Sequence, residues 1–207
     1  MPTITAHAGA LNTQPNSLES IRVGLECGAD AIEVDVRFLP GDTPALGHDR
    51  MDGGTAALLE DCFALLQGCG VSINLDMKET SGAAGLAGLA KTYGLEERAY
   101  MTGITASDVP AVRDCGLPYY LNCWPSPLGW DAGRLAAQAK ALGAVGLNIN
   151  YRTCGARLMR KAREQGLLVS VWTVGSARMM RKMLRLGVDN ITTRQPDQLQ
   201  EMLKRAP

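Results

Sequence analysis

The sequence lacks several features that would direct attention to common functional classes. It has no excess of charge of either sign, because 21 Lys and Arg residues balance 21 Asp and Glu residues. It has no basic segment either, so we expect no nucleic-acid partner. No apolar run approaches the roughly 18 residues that a membrane span requires, so we expect no stable insertion into a membrane. The sequence leaves the oligomeric state open.

The cysteines lack the spacing of a disulfide framework or a zinc site. There is no C-x-x-C pair and no clustering near a histidine among the six, which are Cys27, Cys62, Cys69, Cys115, Cys123 and Cys154. This pattern indicates reduced thiols. The first residues run into a strand-like segment without a basic and then apolar leader. Together these observations predict a cytoplasmic protein.

Short apolar strands alternate with helical segments along the chain. The predicted strands are Thr3–His7, Ala31–Phe38, Ser72–Lys78, Ala99–Gly103, Pro118–Cys123, Val145–Asn150, Leu168–Val174 and Asn190–Thr193. The predicted helices are Ser17–Cys27, Ala57–Gln67, Ala83–Tyr93, Ala106–Asp114, Trp130–Leu142, Gly155–Glu164, Ala177–Leu186 and Asp197–Arg205.

Eight strands that are each followed by a helix predict an α/β fold, a (β/α)8 TIM barrel that forms a single domain over residues 1–207. A doubly wound open sheet is the alternative. It has little support because no G-x-G-x-x-G motif follows the first strand. In a barrel the functional residues lie at the carboxyl ends of the strands, so polar side chains at those ends are the candidates for a site.

The stretch Gly28–Val36, GADAIEVDV, is the most informative in the chain. It is typical of a buried parallel strand, yet it contains Glu33 and Asp35 two positions apart. Side chains alternate along a strand, so both carboxylates point to the same face. Two buried acids on one face require a positive partner. A divalent cation is one solution, and an ion pair with a buried Lys or Arg is the other.

Further polar residues follow the neighbouring predicted strands. His7 ends the first strand, and His48 follows a predicted hairpin return after the second. The third strand has Asp76 and Lys78 two apart on one face. Three inward acids outnumber one inward lysine, which favours a metal over an ion pair.

The order of these motifs resembles that of the glycerophosphodiester phosphodiesterases. The motifs are H-x-G at His7, GADAIEVDV at Gly28–Val36, HD at His48–Asp49, NLDMK at Asn74–Lys78, WTV at Trp172–Val174 and GVDNIT at Gly187–Thr192 followed by Pro196. The resemblance spans almost the whole chain. It implies hydrolysis of a glycerophosphodiester or related small-molecule phosphodiester, such as a lysophospholipid, to an alcohol and a phosphomonoester.

The resemblance also implies roles for individual residues. Glu33, Asp35 and Asp76 would ligate one divalent cation, Mg²⁺ or Ca²⁺, whose preferred ligands are oxygens. His7 and His48 would be the general acid and base. The substrate would be bound by Lys78 and Trp172, with Trp124 and Asn148 as further candidates at predicted strand ends. For Trp124 and Asn148 a purely structural role is the alternative.

The chain lacks the insertion that often caps the family's active site between His48 and Asp76, so we predict an uncapped mouth. Three single residues also depart from the family pattern. The family usually has Arg after the first histidine, where this chain has Ala8, Glu where it has Pro15, and Asp where it has Thr193. Because of these three departures, a catalytically silent barrel that binds a phosphorylated ligand or a protein partner is the alternative. The pair of histidines favours the enzyme, because a pure binder has little need of them.

Overall fold

The computed structural model describes residues 1–49, 56–123 and 131–205. Its strands are β1 (Thr3–Ala6), β2 (Ala31–Leu39), β3 (Thr43–Leu46), β4 (Ser72–Met77), β5 (Ala99–Ile104), β6 (Tyr119–Cys123), β7 (Gly146–Asn150), β8 (Leu168–Trp172) and β9 (Asn190–Thr193). Its helices are α1 (Leu18–Glu26), α2 (Leu59–Leu66), α3 (Leu86–Thr92), α4 (Val109–Val112), α5 (Ala132–Ala141), α6 (Ala156–Glu164), α7 (Ala177–Leu186) and α8 (Pro196–Lys204).

Eight of the strands close into a parallel barrel. The sheet order is β1-β9-β8-β7-β6-β5-β4-β2, and β1 also pairs with β2. The remaining strand, β3, pairs antiparallel with β2 as a hairpin on the outside of the ring. The prediction of a single-domain (β/α)8 barrel is confirmed, and the open-sheet alternative is wrong because the first and last parallel strands are hydrogen-bonded to each other.

Several helices start where a side chain in the preceding loop caps the first turn. Ser17, Asp131 and Ser176 precede α1, α5 and α7, and each side chain accepts hydrogen bonds from backbone N–H groups of the first turn. These groups have no partner within the helix, so the caps set where each helix starts. Gly187 ends α7 with a φ of 68°, a conformation that glycine adopts without strain.

Two predicted helices are shorter than their sequence patterns. The segment Ala83–Tyr93 begins with a 3-10 turn at Ala83–Gly85, and the α-helix starts only at Leu86. In the segment Ala106–Asp114 only Val109–Val112 is α-helical. There the Asp108 carboxylate accepts hydrogen bonds from the backbone N–H and the hydroxyl of Thr105, which holds the preceding residues in a turn.

The strand faces divide the core into two layers. On β2 the side chains of Ile32, Val34 and Val36 are buried on the face toward the helices, within the main hydrophobic cluster. The barrel interior is polar, with Thr5 Oγ1 donating to Asn190 Oδ1 over 2.7 Å and Asn190 Nδ2 donating to Ser170 Oγ over 2.9 Å. This division sets the acids of β2 inside the barrel.

All six cysteines lie in the described residues, where each is a free thiol. Among the described helices, none has the length and apolar composition needed to cross a bilayer.

Candidate active site

A cavity of about 730 Å³ lies at the carboxyl ends of the barrel strands. It brings together eight of the nine predicted site residues, which are His7, Glu33, Asp35, His48, Asp76, Lys78, Asn148 and Trp172. The ninth, Trp124, lies outside the described residues. The prediction of an uncapped mouth depends on residues 50–55 and 124–130, which also lie outside them.

The three predicted metal ligands meet because of strand register. Glu33 and Asp35 share the inward face of β2, and the β2–β4 ladder pairs Asp35 with Asp76. One carboxylate oxygen from each of the three lies within 4.8 Å of the others. Such a group of oxygens fits one Mg²⁺ or Ca²⁺ ion, because both ions take carboxylate ligands.

Asp35 is held in place by a residue from the loop after β1. The side-chain amide of Asn16 donates to Asp35 Oδ2 over 2.7 Å, and its carbonyl oxygen accepts from the backbone N–H of Asp35 over 2.9 Å. Burial would raise the pKa of Asp35, but the hydrogen bonds from Asn16 and Lys78 outweigh it and lower that pKa. Asp35 is therefore poised as an ionised ligand.

Glu33 is the most deeply placed of the three acids. It is 4% exposed, and its Oε2 accepts from the backbone N–H of Ala8 over 3.2 Å. Burial and then the charges of Asp76 and Asp35 raise its pKa well above the usual range. The ammonium group of Lys78 only partly offsets these effects. The negative charge of this buried carboxylate is only partly balanced by Lys78, so a cation bound beside Glu33 would be stabilised.

Lys78 forms ion pairs with two of the acids. Its Nζ lies 2.7 Å from Asp35 Oδ1 and 2.5 Å from Asp76 Oδ2. Burial would lower the pKa of Lys78, but these two carboxylates outweigh it and raise that pKa. The ion-pair alternative from the sequence is thus realised for Asp35 and Asp76. Glu33 has no such bond to Lys78 among the described ion pairs, and the three acids still outnumber the one lysine.

Asp76 is also fixed from β5. Thr102 Oγ1 lies 3.1 Å from Asp76 Oδ1 and 2.8 Å from Asn74 Oδ1. The next residue, Gly103, has a φ of 77°, and a Cβ there would lie 2.3 Å from the Met77 carbonyl oxygen and 2.8 Å from Asp76 Oδ1. Only glycine lets β5 approach this closely. The close approach coincides with a shift in the β5–β6 register.

His7 has a defined orientation in the cavity. Its Nδ1 lies 2.6 Å from the carbonyl oxygen of Ala8, so Nδ1 carries the proton of the neutral ring. Nε2 is then the basic nitrogen, and it lies 3.7 Å from Glu33 Oε2. Burial lowers the pKa of His7 and outweighs the hydrogen bond to Ala8, which acts in the opposite direction.

His48 differs from His7 in its exposure. Its side chain is 69% exposed, and its Nδ1 lies 2.9 Å from Asp49 Oδ1. Its carbonyl oxygen accepts from Arg37 Nε over 3.0 Å, which ties the end of the hairpin to β2. The two histidines therefore reach one cavity from different sides, one from the interior and one from the rim.

The far side of the cavity is neutral. Asn122 Oδ1 accepts from Asn148 Nδ2 over 3.0 Å and from the backbone N–H of Gly103 over 2.9 Å. Within the described residues, Asn148 Oδ1 is buried and has no hydrogen-bond partner. Trp172 lines the same side at the end of β8. This side offers an amide and an aromatic surface to a ligand.

Sequence reasoning missed several residues of the site. Asn16, Thr102, Asn122 and Arg194 received no role. Asn16 directly follows Pro15, where the chain departs from the family pattern, and that neighbourhood was the available signal. Arg194 could have been found by continuing the alternation of β9 beyond its last residue, since Asn190, Thr192 and Arg194 share one face.

Comparison with known proteins supports the same fold and family. Residues 125–198 match the model of the "Glycerophosphoryl diester phosphodiesterase family". The resemblance that the motifs indicated is therefore confirmed, and the family match supports a phosphodiesterase-like hydrolase. No curated protein is similar enough in sequence to match the chain.

Several solved structures share the fold over nearly the whole chain. A glycerophosphodiester phosphodiesterase from Parabacteroides distasonis is 20% identical, with a TM-score of 0.82 and coverage of 98% of this chain and 97% of its own. One from Agrobacterium tumefaciens is 18% identical, with a TM-score of 0.78 and coverage of 96% and 99%. An Oleispira antarctica phosphodiesterase in complex with the product sn-glycerol-3-phosphate is 16% identical, with a TM-score of 0.83 and coverage of 99% and 97%.

Proposed function

We propose that this chain is a phosphodiesterase of the glycerophosphodiester type that hydrolyses its substrate with one bound divalent cation. The observation that carries the proposal is the convergence of Glu33, Asp35 and Asp76 within 4.8 Å of one another in a cavity that also contains His7. Carboxylates and a histidine at the strand ends of a barrel are typical of a hydrolytic centre.

Glu33, Asp35 and Asp76 would hold the cation, Mg²⁺ or Ca²⁺. When bound, the cation supplies Lewis-acid stabilisation of charge on the phosphoryl oxygens. The chain supplies the geometry, because Asn16 and Thr102 each fix one carboxylate oxygen, of Asp35 and of Asp76 respectively. Groups that orient ligating carboxylates commonly matter nearly as much as the ligands themselves.

His7 would act as the general base. Because its Nδ1 proton is held by the Ala8 carbonyl, Nε2 is available to take a proton from the attacking hydroxyl. That hydroxyl belongs to water or to the substrate alcohol next to the phosphodiester, in which case a cyclic phosphate forms first. His48 would protonate the leaving alkoxide from the rim, where its exposure gives it access to protons.

Lys78 would stabilise the charge that develops on the phosphoryl oxygens. In this structure its ammonium group is bonded to Asp35 and Asp76. Asp35 and Asp76 are also the carboxylates that would hold the cation, so with the cation bound the Lys78 ammonium would be free to pair with the substrate phosphate. The Lys78 ammonium would thus pair with the acids in the absence of the cation and with the phosphate in its presence.

The neutral side of the cavity would bind the alcohol part of the substrate. The unpartnered oxygen of Asn148 can accept from a hydroxyl, and the Trp172 ring can cover an apolar surface. A glycerophosphodiester has both features, and a lysophospholipid presents the same headgroup with a longer chain. We propose substrates of this class and a cytoplasmic location.

A silent barrel that binds a phosphorylated ligand is the second candidate. The observations in its favour are Ala8, which leaves the first strand end without an arginine, and the ion pairs of Lys78, which give two of the acids a positive partner without a metal. The defined tautomer of His7 favours the enzyme, because binding alone does not require a basic nitrogen that faces the acids.

An activity assay separates the two candidates. Purified protein would be incubated with glycerophosphocholine and with lysophospholipids, first in EDTA and then with added Mg²⁺ or Ca²⁺. The proposal predicts no hydrolysis in EDTA and release of a phosphomonoester when the cation is added. Hydrolysis that is unaffected by EDTA contradicts the metal-dependent mechanism, and no hydrolysis with either cation supports the silent barrel.

A further inference from the structure

Arg194 and His7 lie side by side at the carboxyl ends of adjacent barrel strands. The β1–β9 ladder pairs Ala6 with Thr193, so the next residue on each strand, His7 and Arg194, follows in the same layer. Side chains alternate, and Arg194 therefore shares the inward face with Thr192. Both residues line the cavity that contains the acid cluster. Barrel closure thus brings a guanidinium from the last strand to the end of the first.

The contact between Arg194 and His7 is not a hydrogen bond. Arg194 Nε lies 3.4 Å from His7 Nδ1. That nitrogen is 2.6 Å from the Ala8 carbonyl oxygen and carries its proton toward it, so it has no lone pair left to accept from Arg194. Among the described residues no other acceptor is bonded to the Arg194 side chain, so its donors are available to a ligand.

Arg194 has no acid partner within the part of the chain that the structure describes. Among the ion pairs of residues 1–49, 56–123 and 131–205, none includes Arg194. Lys78, the other full cation among the described lining residues, is bonded to two carboxylates. A guanidinium with free donors beside a candidate base suits a phosphate ester, to two of whose oxygens the planar guanidinium can donate parallel hydrogen bonds.

We propose that Arg194 binds a nonbridging oxygen of the substrate phosphodiester and so supplies the guanidinium that Ala8 lacks. This inference rests on the proposed function, because it assigns a residue to the same site. Arg194 binds the phosphate directly. It contacts His7 because both residues lie in the same layer of the barrel, and its role is not to position His7.

Calorimetric titration of sn-glycerol 3-phosphate into the protein with Mg²⁺ tests the proposal without turnover. Arg194→Ala is expected to raise the dissociation constant roughly tenfold or more, the loss typical of a charged hydrogen bond. Arg194→Lys keeps the charge but loses the planar fork, so an intermediate value is expected. Arg181→Ala, an exposed arginine on α7, is the matched control and should bind as the wild type does.

The outcomes separate this inference from the proposed function. Equal affinity of the wild type and Arg194→Ala overturns the inference, as does a wild-type protein that does not bind the anion. A lower kcat of Arg194→Ala with unchanged anion affinity also overturns it, because Arg194 would then only position His7. A wild type that binds the anion more tightly than Arg194→Ala but hydrolyses no phosphodiester upholds the inference and removes the proposed function.

Discussion

The mouth of the barrel has a charged half and a neutral half. The charged half is formed by the ends of β1, β2, β4 and β9 and consists of His7, Glu33, Asp35, Asp76, Lys78 and Arg194. The neutral half is formed by the ends of β6, β7 and β8 and consists of Asn122, Asn148 and Trp172. Each half is connected internally, the first by ion pairs and the second by the hydrogen bond between the two asparagines.

This difference indicates how a substrate with two unlike parts would lie. A phosphate needs positive partners and a cation, which the charged half can hold. An alcohol needs hydrogen-bond partners and an apolar surface, which the neutral half offers. Changes at the acids, the histidines and Lys78 should therefore affect mainly the rate of the reaction, whereas changes in the neutral half should affect substrate affinity. Arg194 is the exception in the charged half, because its expected effect is on affinity for the phosphate.

Removal of a metal ligand is expected to have the largest effect. Glu33→Gln and Asp76→Asn preserve side-chain shape but remove a negative charge, so each should lower kcat by on the order of 10³-fold or more. The measurement is glycerophosphocholine hydrolysis with saturating Mg²⁺ or Ca²⁺. Glu60→Gln, an exposed acid on α2, is the control. Activity equal to that of the wild type in both ligand variants would contradict the metal site.

Removal of either histidine is expected to have the second largest effect on activity. His7→Ala and His48→Ala should each cost on the order of 10²–10⁴-fold in kcat/KM, because each loses one proton transfer. The fold and cation binding should be unchanged. If both variants kept full activity, the acid–base assignment would be wrong.

The pH profile tests the assignment of His7 further. In the wild type, kcat/KM should fall on the acid side as His7 takes up a proton. Since burial lowers the pKa of His7, this fall should lie below the usual histidine value. The acid limb should be absent from the residual activity of His7→Ala.

Replacement of Lys78 should separate cation binding from catalysis. In Lys78→Met the acids lose their ammonium partner, so a divalent cation should bind more tightly. The rate should nevertheless fall by on the order of 10²-fold, because the phosphoryl oxygens lose a positive group. Calorimetry of Mg²⁺ or Ca²⁺ binding and a rate assay measure the two effects. Weaker cation binding in this variant would contradict the proposed competition.

Substitution in the neutral half should have the smallest effect. Trp172→Ala should raise KM for glycerophosphocholine roughly tenfold, as expected from the loss of an aromatic contact, with a smaller change in kcat. Leu168→Ala, at the exposed start of β8 and away from the mouth, is the control. A fall in kcat as large as that of a histidine variant would show that the two halves do not have separate roles.

The fold was largely predictable because local patterns determine it. Each predicted strand overlaps an observed one with ends that differ by at most two residues, and β9 is identical at Asn190–Thr193. Apolar runs mark the strands, and glycines such as Gly187 mark helix ends. The short α4 was not predictable from periodicity, since the Asp108 carboxylate, a local competitor for backbone hydrogen bonds, decides it.

The site was predictable only where one strand contains the relevant residues. The alternation of β2 was sufficient for Glu33 and Asp35, and their partner Asp76 followed from a similar pattern on β4. The ion pairs of Lys78 and the hydrogen bond from Asn16 to Asp35 depend on contacts between different elements. The contact of Arg194 with His7 depends on barrel closure, which joins residues 187 positions apart. No local pattern determines such contacts.

Cation binding is the most direct test of the central claim that Glu33, Asp35 and Asp76 form a divalent metal site. Isothermal titration of Mg²⁺ and of Ca²⁺ into metal-free protein measures it without a substrate. The account predicts one cation per chain in the wild type and none at the same concentrations in the Glu33→Gln/Asp76→Asn double variant, with both proteins folded. A wild type that binds neither cation, or a double variant that binds as the wild type does, would contradict it.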